Sequence, residues 1–275
     1  MKPHPLGLQP HIHRHFFGAR DGALSGKHYL CGLRNLAMET KCLSTKPYQV
    51  LSGSTLKLIA CVSMLADHLA KLCFSRSGWA NVVWFSVAGK SISLLQLMLM
   101  FGRLAFPLFA FLLVEGFLHT GNKRKYGLNL LALALISEIP FNLLFGHSLL
   151  FPKQNVMFTL LLGYMAMCSL EHFRERPIIS LAILLSLFLI SRYLQADYRT
   201  AGFVFILLLY GLRREKAIQC VAAPILLEMK TMVFLSLLLT CMYNGKRGFI
   251  KTPFLKYFFY AFYPLHMLII YFLAR

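Results

Sequence analysis

The chain has 275 residues, of which 57% are hydrophobic and only 14% are charged, and its formal net charge is +19. A soluble globular protein is about 45–50% apolar and about 25% charged, so this composition excludes an ordinary soluble domain. The basic residues lie between long apolar blocks and form no aromatic-and-basic motif, which argues against nucleic acid as a partner. The sequence therefore predicts an all-α, polytopic transmembrane helical bundle surrounded by membrane lipids.

Residues 1–47 differ in composition from the rest of the chain, because they are polar, basic and rich in histidine. We predict that this stretch is a disordered N-terminal extension or an over-long gene start, with Met38 as an internal start, and that residues 48–275 form the membrane domain. The seven cysteines show no CxxC spacing, so neither a disulfide framework nor a metal site is predicted.

Beyond the extension, about nine apolar segments follow one another along the chain. They lie at 55–74, 94–119, 125–146, 155–171, 177–193, 198–212, 216–228, 230–244 and 254–274. Several are shorter than the ~20 residues that a full span requires, and the seventh and eighth are also compatible with one re-entrant pair. The prediction is a bundle of about nine helices, within a range of about eight to ten.

The loops between these segments alternate in their content of basic residues. The stretches GNKRK, EHFRERP and RREK are rich in Lys and Arg, whereas GHSLLFPKQ, RYLQADYRT and LEMK carry fewer. Cytoplasmic loops hold the excess of Lys and Arg in membrane proteins. We therefore predict a cytoplasmic N-terminus, an external C-terminus and a multi-pass protein of the cell membrane. The stretch at 71–90, which also carries basic residues, fits this orientation imperfectly.

Polar side chains inside or beside the apolar segments are the candidates for function, because a charged group in a bilayer is costly and usually has a role. They are Asp67, His68, Arg103, Glu115, Glu138, Asn142, Asn155, Thr159, Asp197, Tyr198, Tyr263 and His266. With the predicted orientation, most of them fall between the midplane and the outer leaflet, while Glu115 is nearer the cytoplasmic side. A shared depth indicates one buried polar site.

Lys57 and His68 lie eleven residues apart in the first segment. At 3.6 residues per turn they share one helix face and lie about 16 Å apart along the axis, which suits a ligand with a phosphate group at one end and a reactive group at the other. Acetyl-CoA is such a ligand. Asp67 lies about 100° from His68 around the helix. We therefore predict that Asp67 fixes the helix against a neighbour and that Glu138 is the partner of the His68 ring.

Six stretches of the chain resemble, in the same order, the TraX family, which is named for the conjugal-transfer protein that N-acetylates F-type pilin. These stretches are GSTLKLIACVSMLADH, GRLAFPLFAFLLVEGF, SEIPFN, NVMFTLLLG, DYRTAGFVFILLLY and FYAFYPLHMLIIY. The resemblance runs from about Tyr48 to the C-terminus and leaves the N-terminal extension outside it. One departure is Arg199 within DYRTAG, where a small residue such as Gly is expected.

The TraX family in turn resembles the acyltransferase-three O-acetylases and the lysosomal heparan-α-glucosaminide N-acetyltransferase. In the acyltransferase-three group, an Arg precedes a functional His in the first helix at the spacing that separates Lys57 from His68 here. Lys is a point charge and lacks the planar fork of Arg, so the departure weakens a bidentate phosphate contact but leaves a phosphate-binding role open.

The resemblance implies an integral acetyltransferase of the bacterial inner (plasma) membrane. Such an enzyme takes an acetyl group from cytoplasmic acetyl-CoA and passes it to an amine or hydroxyl of a peptide, sugar or glycolipid. The expected catalytic residues are His68, Asp67, Glu138, Arg103 and His266. Acetyl-CoA is expected to contact Lys57, Arg103, Asn155 and Tyr263, and the acceptor is expected to contact Asn142, Asp197 and Tyr198. His68 either acts as a general base or carries the acetyl group covalently, with Arg103, Asn155 or Tyr263 stabilising the oxyanion.

Two other functions remain open on the sequence. A transporter or flippase also carries charged groups at mid-membrane, although the chain shows no matching halves. A non-catalytic assembly factor of a pilus or conjugation apparatus is the other alternative, although the short loops offer no large partner domain. The identity of the acceptor, N- versus O-acetylation and the formation of oligomers are left open.

Overall fold

The structure is a computed structural model that describes residues 48–72, 82–87, 90–146, 148–149, 151–215 and 230–274. In chain order the elements are α1 (Gly53–Leu72), β1 (Val83–Val87), β2 (Lys90–Ser93), α2 (Leu94–Gly102), α3 (Ala105–His119), α4 (Lys123–Gly146), α5 (Val156–His172), α6 (Pro177–Tyr193), α7 (Arg199–Gly211), α8 (Lys230–Cys241) and α9 (Pro253–Leu273). The predicted extension at 1–47 and the predicted segment at 216–228 lie outside the described residues.

Helices α2 and α3 together occupy the predicted segment at 94–119, which is interrupted by a tight turn. The backbone N–H groups of Arg103 and Leu104 donate to the carbonyls of Met100 and Phe101, three residues earlier, so the chain departs there from the α-helical pattern. When α2 and α3 are counted as one interrupted helix, the described residues form eight helices, each at the position of a predicted segment.

The short hairpin of β1 and β2 is a departure from the all-α prediction. Its strands pair antiparallel, with Val83 opposite Ser93 and Val87 opposite Lys90. Ser93 ends the hairpin and also begins α2, because its hydroxyl accepts from the Gln96 backbone N–H while the Gln96 side chain accepts from the Ser93 N–H. This reciprocal capping box stops the strand and starts the helix at one residue.

Among the residues that the structure describes, two helical stretches are long and apolar enough to cross a membrane. They are Leu94–His119, which comprises α2 and α3, and Lys123–Gly146, which is α4. Helices α5, α6 and α7 are also apolar but shorter. The membrane-helix character that the composition predicts is therefore present in the central part of the chain.

The packing of the helices brings the first and last of them together. Helix α1 packs on α2, α3 and α9, and α9 also packs on α4. The main core fills the space between these helices and α5 and α7, and it includes Leu56, Leu108, Phe117, Met167, Phe205 and Met267. Because α1 and α9 are neighbours, polar residues that are almost two hundred positions apart face each other.

Candidate active site

Two histidines from opposite ends of the chain form the centre of the candidate site. The Nδ1 atom of His68 on α1 lies 2.8 Å from the Nε2 atom of His266 on α9, and the planes of the two rings differ by only 5°. The other nitrogen of His266, Nδ1, lies 2.8 Å from the backbone oxygen of Phe262. A hydrogen-bonded chain thus runs from His68 through His266 to a helix carbonyl.

The hydrogen bonds of this series determine which ring nitrogens of His68 and His266 carry protons. A carbonyl oxygen can only accept, so the Nδ1 atom of His266 must carry the hydrogen that it donates to Phe262. In the neutral ring the Nε2 atom of His266 is then an acceptor, and the Nδ1–H group of His68 donates to it. The Nε2 atom of His68 consequently keeps its lone pair. Its ring lies edge-on to Phe145, with 5.3 Å between the ring centroids.

His68 lies on the wall of a cavity of about 360 Å³, which we call the histidine cavity. Its polar lining residues are Asp67, His68, Lys71, Lys153, Asp197, Tyr198 and Tyr263. The remaining wall is largely aromatic and includes Phe106, Phe109, Phe141 and Phe145. Of the predicted site residues, His68, Asp67, Asp197, Tyr198 and Tyr263 are therefore brought together around one space.

Asp67 occupies a point where α2 packs tightly against α1. Its carboxylate pairs with Lys71 one turn further along α1, at 2.5 Å. A Cβ atom added to Gly102 would lie only 2.4 Å from the Cβ atom of Asp67, so α2 reaches α1 only because residue 102 has no side chain. The hydroxyl of Ser63 donates to the carbonyl of Phe101 at 2.6 Å and joins the same two helices. The predicted role of Asp67 in helix contact is consistent with this packing, although Asp67 also lines the cavity beside His68.

The loop between α6 and α7 supplies Asp197 and Tyr198 to the other side of the histidine cavity. The backbone carbonyl of Asp197 accepts from the Thr159 hydroxyl at 2.5 Å, and its N–H donates to the Gln154 carbonyl at 3.1 Å. The ring of Tyr198 stacks on Phe106 with 4.0 Å between centroids. The side chain of Asp197 is exposed on the cavity side, and desolvation by the protein around it raises the pKa of Asp197 above its ordinary value.

The same loop has a strained backbone. Gln195, Tyr198 and Arg199 all have positive φ angles, at 48°, 64° and 43°. A left-handed conformation costs an L-residue roughly 1–2 kcal/mol, and such strain is concentrated at functional sites. Arg199 is the position where the sequence comparison led us to expect a Gly, and its positive φ is the physical reason for that expectation.

We expect the substitution Arg199→Gly to raise the thermal stability of the protein, because Gly adopts this φ without the steric cost. The gain is about 0.5–1 kcal/mol after the larger backbone entropy of Gly is subtracted. Thermal unfolding in detergent measures it. The matched control is Thr200→Gly, the second residue of α7, which we expect to lower stability slightly because Gly adds backbone freedom in the first turn of the helix. Equal destabilisation by both substitutions would contradict the assignment of strain.

We predicted that Glu138 is the partner of the His68 ring, and this prediction is wrong. Glu138 lies on α4 and its side chain is directed to α5 instead. One carboxylate oxygen of Glu138 accepts from the Asn155 side-chain amide at 2.5 Å. The same amide donates to the Ala134 carbonyl, and the Asn155 side-chain oxygen accepts from the Met157 N–H and so begins α5. Asn155 thus has protein partners for its side-chain groups, which favours a structural role over the predicted contact with acetyl-CoA.

Asn142, the predicted acceptor-binding residue on α4, is buried close to Glu138 on the same helix. Its side-chain amide donates to the Leu149 carbonyl at 2.9 Å and ties the end of α4 to the following loop. Its side-chain oxygen and one carboxylate oxygen of Glu138 are buried without a protein partner. The pair lies beside the histidine cavity, whose described wall includes Phe141 and Phe145 from the same helix.

Arg103 differs most from its prediction. The sequence placed it inside a continuous membrane helix, where an unpaired guanidinium would be too costly. The structure instead places it, exposed, in the turn that separates α2 from α3, because the helix ends there. Arg103 is close enough for its charge to act on the Tyr198 hydroxyl, but it is not among the described residues that line the histidine cavity. A contact between Arg103 and a buried oxyanion is therefore not part of this geometry.

A second, larger cavity of about 610 Å³, which we call the cationic cavity, lies on the Lys57 side of α1. It shares four wall residues with the histidine cavity, namely Met64, Phe109, Leu160 and Tyr263. Lys57 lies in it with its amine 5.1 Å from the ring centroids of both Phe259 and Tyr260. Lys57 and His68 thus line adjoining cavities along one face of α1, and Tyr263, which is buried, lies at their junction.

Several lining residues were not predicted from the sequence. Lys71 and Lys153 were assigned to loops, and neither Arg247 nor Lys256 was given a role at the site. The pairing of Lys71 with Asp67 had a sequence signal, because residues four apart on a helix are neighbours. Arg247 and Lys256 had none, because their approach to Lys57 depends on how the end of the chain packs against α1.

Comparison with known proteins supports one family. The family model described as "TraX protein" matches residues 52–274 of the chain. The chain is also 30% identical over 245 residues to a protein of Dichelobacter nodosus named "Probable fimbrial assembly protein FimC, serogroup H1". The aligned region covers 78% of this chain and 93% of that protein. No solved structure matches the chain. The family match spans every element described above, from α1 with His68 to α9 with His266, and the chain belongs to the TraX family.

Proposed function

We propose that this protein is an integral membrane acetyltransferase that moves an acetyl group from cytoplasmic acetyl-CoA to an amine or hydroxyl of a peptide, sugar or glycolipid. The observation that carries the proposal is the hydrogen-bonded chain from His68 through His266 to the Phe262 carbonyl, at the wall of a cavity. A neutral imidazole held in one tautomer at a cavity wall is suited to proton transfer from an acceptor.

The surface of the helices supports a membrane-embedded, multi-pass protein. On α6, Ile178, Leu181 and Leu185 have exposed fractions of 83%, 66% and 58%, and they follow one another at helical spacing. Large apolar side chains are similarly exposed along α4 and α9. Water would make such continuous apolar faces unfavourable, whereas lipid tails accommodate them. We infer that α4, α6 and α9 face lipid and that the N-terminus is cytoplasmic.

In the proposed reaction, the acceptor amine or hydroxyl attacks the thioester carbonyl carbon of acetyl-CoA. The Nε2 atom of His68 takes the proton from the acceptor, the carbon–sulfur bond breaks, and the coenzyme A thiolate leaves and receives that proton from His68, which returns to its neutral form. The imidazolium that forms on His68 is stabilised by the hydrogen bond to His266, whose own Nδ1–H is held by Phe262. Attack by His68 itself, followed by transfer from an acetyl-imidazole, uses the same geometry.

The remaining polar wall residues have roles that follow from their positions. Tyr263 lies at the junction of the two cavities, where a donated hydrogen bond from its hydroxyl would stabilise the oxyanion of the tetrahedral intermediate. Asp197 and Tyr198, on the opposite wall, are placed to contact the acceptor. Asp67 holds α1 against α2 and so sets the position of His68, the next residue.

The second candidate function is a non-catalytic assembly factor of a pilus or conjugation apparatus. It is favoured by the name of the Dichelobacter nodosus relative, which is a probable fimbrial assembly protein. In this case the histidine pair would serve only to join α1 to α9. The two functions are separable, because only the acetyltransferase must bind acetyl-CoA and release coenzyme A.

Radiolabelled acetyl-CoA tests the proposal directly. We expect purified protein in lipid nanodiscs to release coenzyme A and to transfer label to one fraction of an extract that contains peptide, sugar and glycolipid acceptors. Coenzyme A is quantified by chromatography, because the cysteines of the chain would react with thiol reagents. The control is an equal amount of empty nanodiscs. Absence of both coenzyme A binding and label transfer, together with loss of pili when the protein is removed from its host, would replace the proposal with the assembly factor.

A further inference from the structure

Three cationic side chains converge on the cationic cavity. They are Lys57 from α1, Arg247 from the loop between α8 and α9, and Lys256 from the first turns of α9. They lie close enough together for the charges of Arg247 and Lys256 to act unfavourably on that of Lys57. Among the described lining residues of this cavity the one carboxylate is that of Glu115, which hydrogen-bonds to Tyr243 and lies 3.6 Å from His119. An anionic ligand would therefore relieve a repulsion that the cavity itself contains.

The position of Arg247 is fixed by the backbone. The loop at 242–250 lies across the start of α1, where the carbonyls of Lys246 and Arg247 accept from the N–H groups of Gly53 and Ser54 at 2.9 Å each. The Ser54 hydroxyl also donates to the Arg247 carbonyl and accepts from the Ile250 N–H. These bonds satisfy helix-terminal groups that would otherwise be unpaired, so α1 holds the loop and the loop holds Arg247 at the cavity.

Gly248 makes this close approach possible. It has a φ of +88°, and a Cβ atom at this position would lie 2.2 Å from the Ser52 hydroxyl oxygen. Both facts require a residue without a side chain. Gly248 thus lets the loop pack closely against α1. Ordering a Gly costs more backbone entropy than ordering another residue, and a loop that only connected two helices would not require it.

The distance from these cations to the histidines limits the ligand. Lys57 and His68 are eleven residues apart on α1, or about 16 Å along the helix axis. An anion bound at Lys57 therefore cannot be the group that reacts at His68. The ligand must be long, with anionic groups at one end and a reactive group at the other. It would have to pass the wall that the two cavities share, which is formed by Met64, Phe109, Leu160 and Tyr263.

We propose that Lys57, Arg247 and Lys256 bind the diphosphate of a nucleotide-bearing acyl donor and so select the donor of the reaction. This inference rests on the proposed function, since it assigns the donor end of the same site. Arg247 offers the planar fork that matches phosphate oxygens, and the two lysines add point charges. A short donor such as acetyl phosphate cannot contact both the cations and His68 and is excluded by this geometry.

The test measures the binding of ADP, coenzyme A and pantetheine to the protein in nanodiscs. We expect ADP and coenzyme A to bind and pantetheine to bind much more weakly. Arg247→Ala and Lys256→Ala should each weaken the binding of ADP about tenfold, which is the effect of losing one charge-assisted hydrogen bond. The matched control is Lys251→Ala, which removes an exposed cation from the loop that does not line the cavity and should leave binding unchanged.

The outcomes separate this inference from the proposed function. If acetyl transfer from acetyl-CoA proceeds and both variants bind ADP like the wild type, the cation site is wrong and the acetyltransferase stands. If ADP binds in the expected pattern but no acceptor is labelled, the cation site stands and the acetyltransferase is in question. Use of acetyl phosphate as a donor at a rate comparable to acetyl-CoA would overturn the donor assignment.

Discussion

Replacing His68 with alanine is expected to reduce acetyl transfer by about 10²–10⁴-fold, which is the usual contribution of a general base. The physical reason is that the Nε2 atom of His68 has a lone pair with which to take a proton. It stands at the end of the hydrogen-bonded series that runs from the Phe262 carbonyl through His266 to His68. The binding of coenzyme A should change little, because the cations proposed to hold it lie at the other end of α1. A steady-state assay with radiolabelled acetyl-CoA therefore shows a loss in kcat with a nearly unchanged KM.

Two further variants give this prediction its controls. His172→Ala removes an exposed histidine from the end of α5 and should leave activity unchanged. His266→Gln should lower activity less than His68→Ala does, because an amide oxygen can still accept from the Nδ1–H group of His68. A His68→Ala variant that is folded, binds coenzyme A and keeps full transfer activity would show that the histidine pair only joins α1 to α9.

The second large effect is expected at Gly102, where α2 meets α1. An added Cβ atom would lie 2.4 Å from the Asp67 Cβ and 2.9 Å from the Asp67 Cα, so Gly102→Ala must push the two helices apart. Overpacking of this kind costs about 1–3 kcal/mol. Because His68 follows Asp67 directly, the same displacement should also lower acetyl transfer. Thermal unfolding in detergent and the labelling assay together measure the two effects.

Gly211→Ala is the matched control for this substitution. Gly211 ends α7, and a Cβ atom there would meet nothing within 4 Å. We therefore expect activity to stay unchanged and stability to stay unchanged or to rise slightly, because Ala is a better helix former than Gly. A Gly102→Ala protein as stable and as active as the wild type would show that α2 does not position α1.

The features that could be predicted from the sequence are those that depend on local spacing. The apolar segments correspond to helices wherever the structure describes them, because a long apolar block with helical periodicity has few other solutions. The common face of Lys57 and His68 follows from 3.6 residues per turn and holds whatever α1 packs against. The resemblance also indicated an unusual backbone at residue 199, because a small residue such as Gly was expected there. The structure gives Arg199 a positive φ, which Gly adopts most easily.

The predictions that failed depended on contacts between distant parts of the chain. Glu138 was predicted to pair with the His68 ring because the two residues were expected at the same depth in the membrane. Depth alone does not determine which neighbouring helix a side chain faces. Arg103 was placed inside a continuous helix because the apolar run continues on both sides of the turn that ends α2, although Gly102 at that turn is a residue typical of helix ends. The β1–β2 hairpin was not predicted. Its residues lie between two apolar segments and were assigned to the loop that connects them.

The sequence by itself thus determined a TraX-family helical chain and a histidine on the same helix face as a cation, because family motifs and helical periodicity are local properties. Only the tertiary structure decided that His266 pairs with His68, and that Arg247 and Lys256 join Lys57. The physical reason is that these contacts arise where α9 and its preceding loop pack on α1, almost two hundred residues away, and side-chain packing over such separations leaves no periodic trace in the sequence.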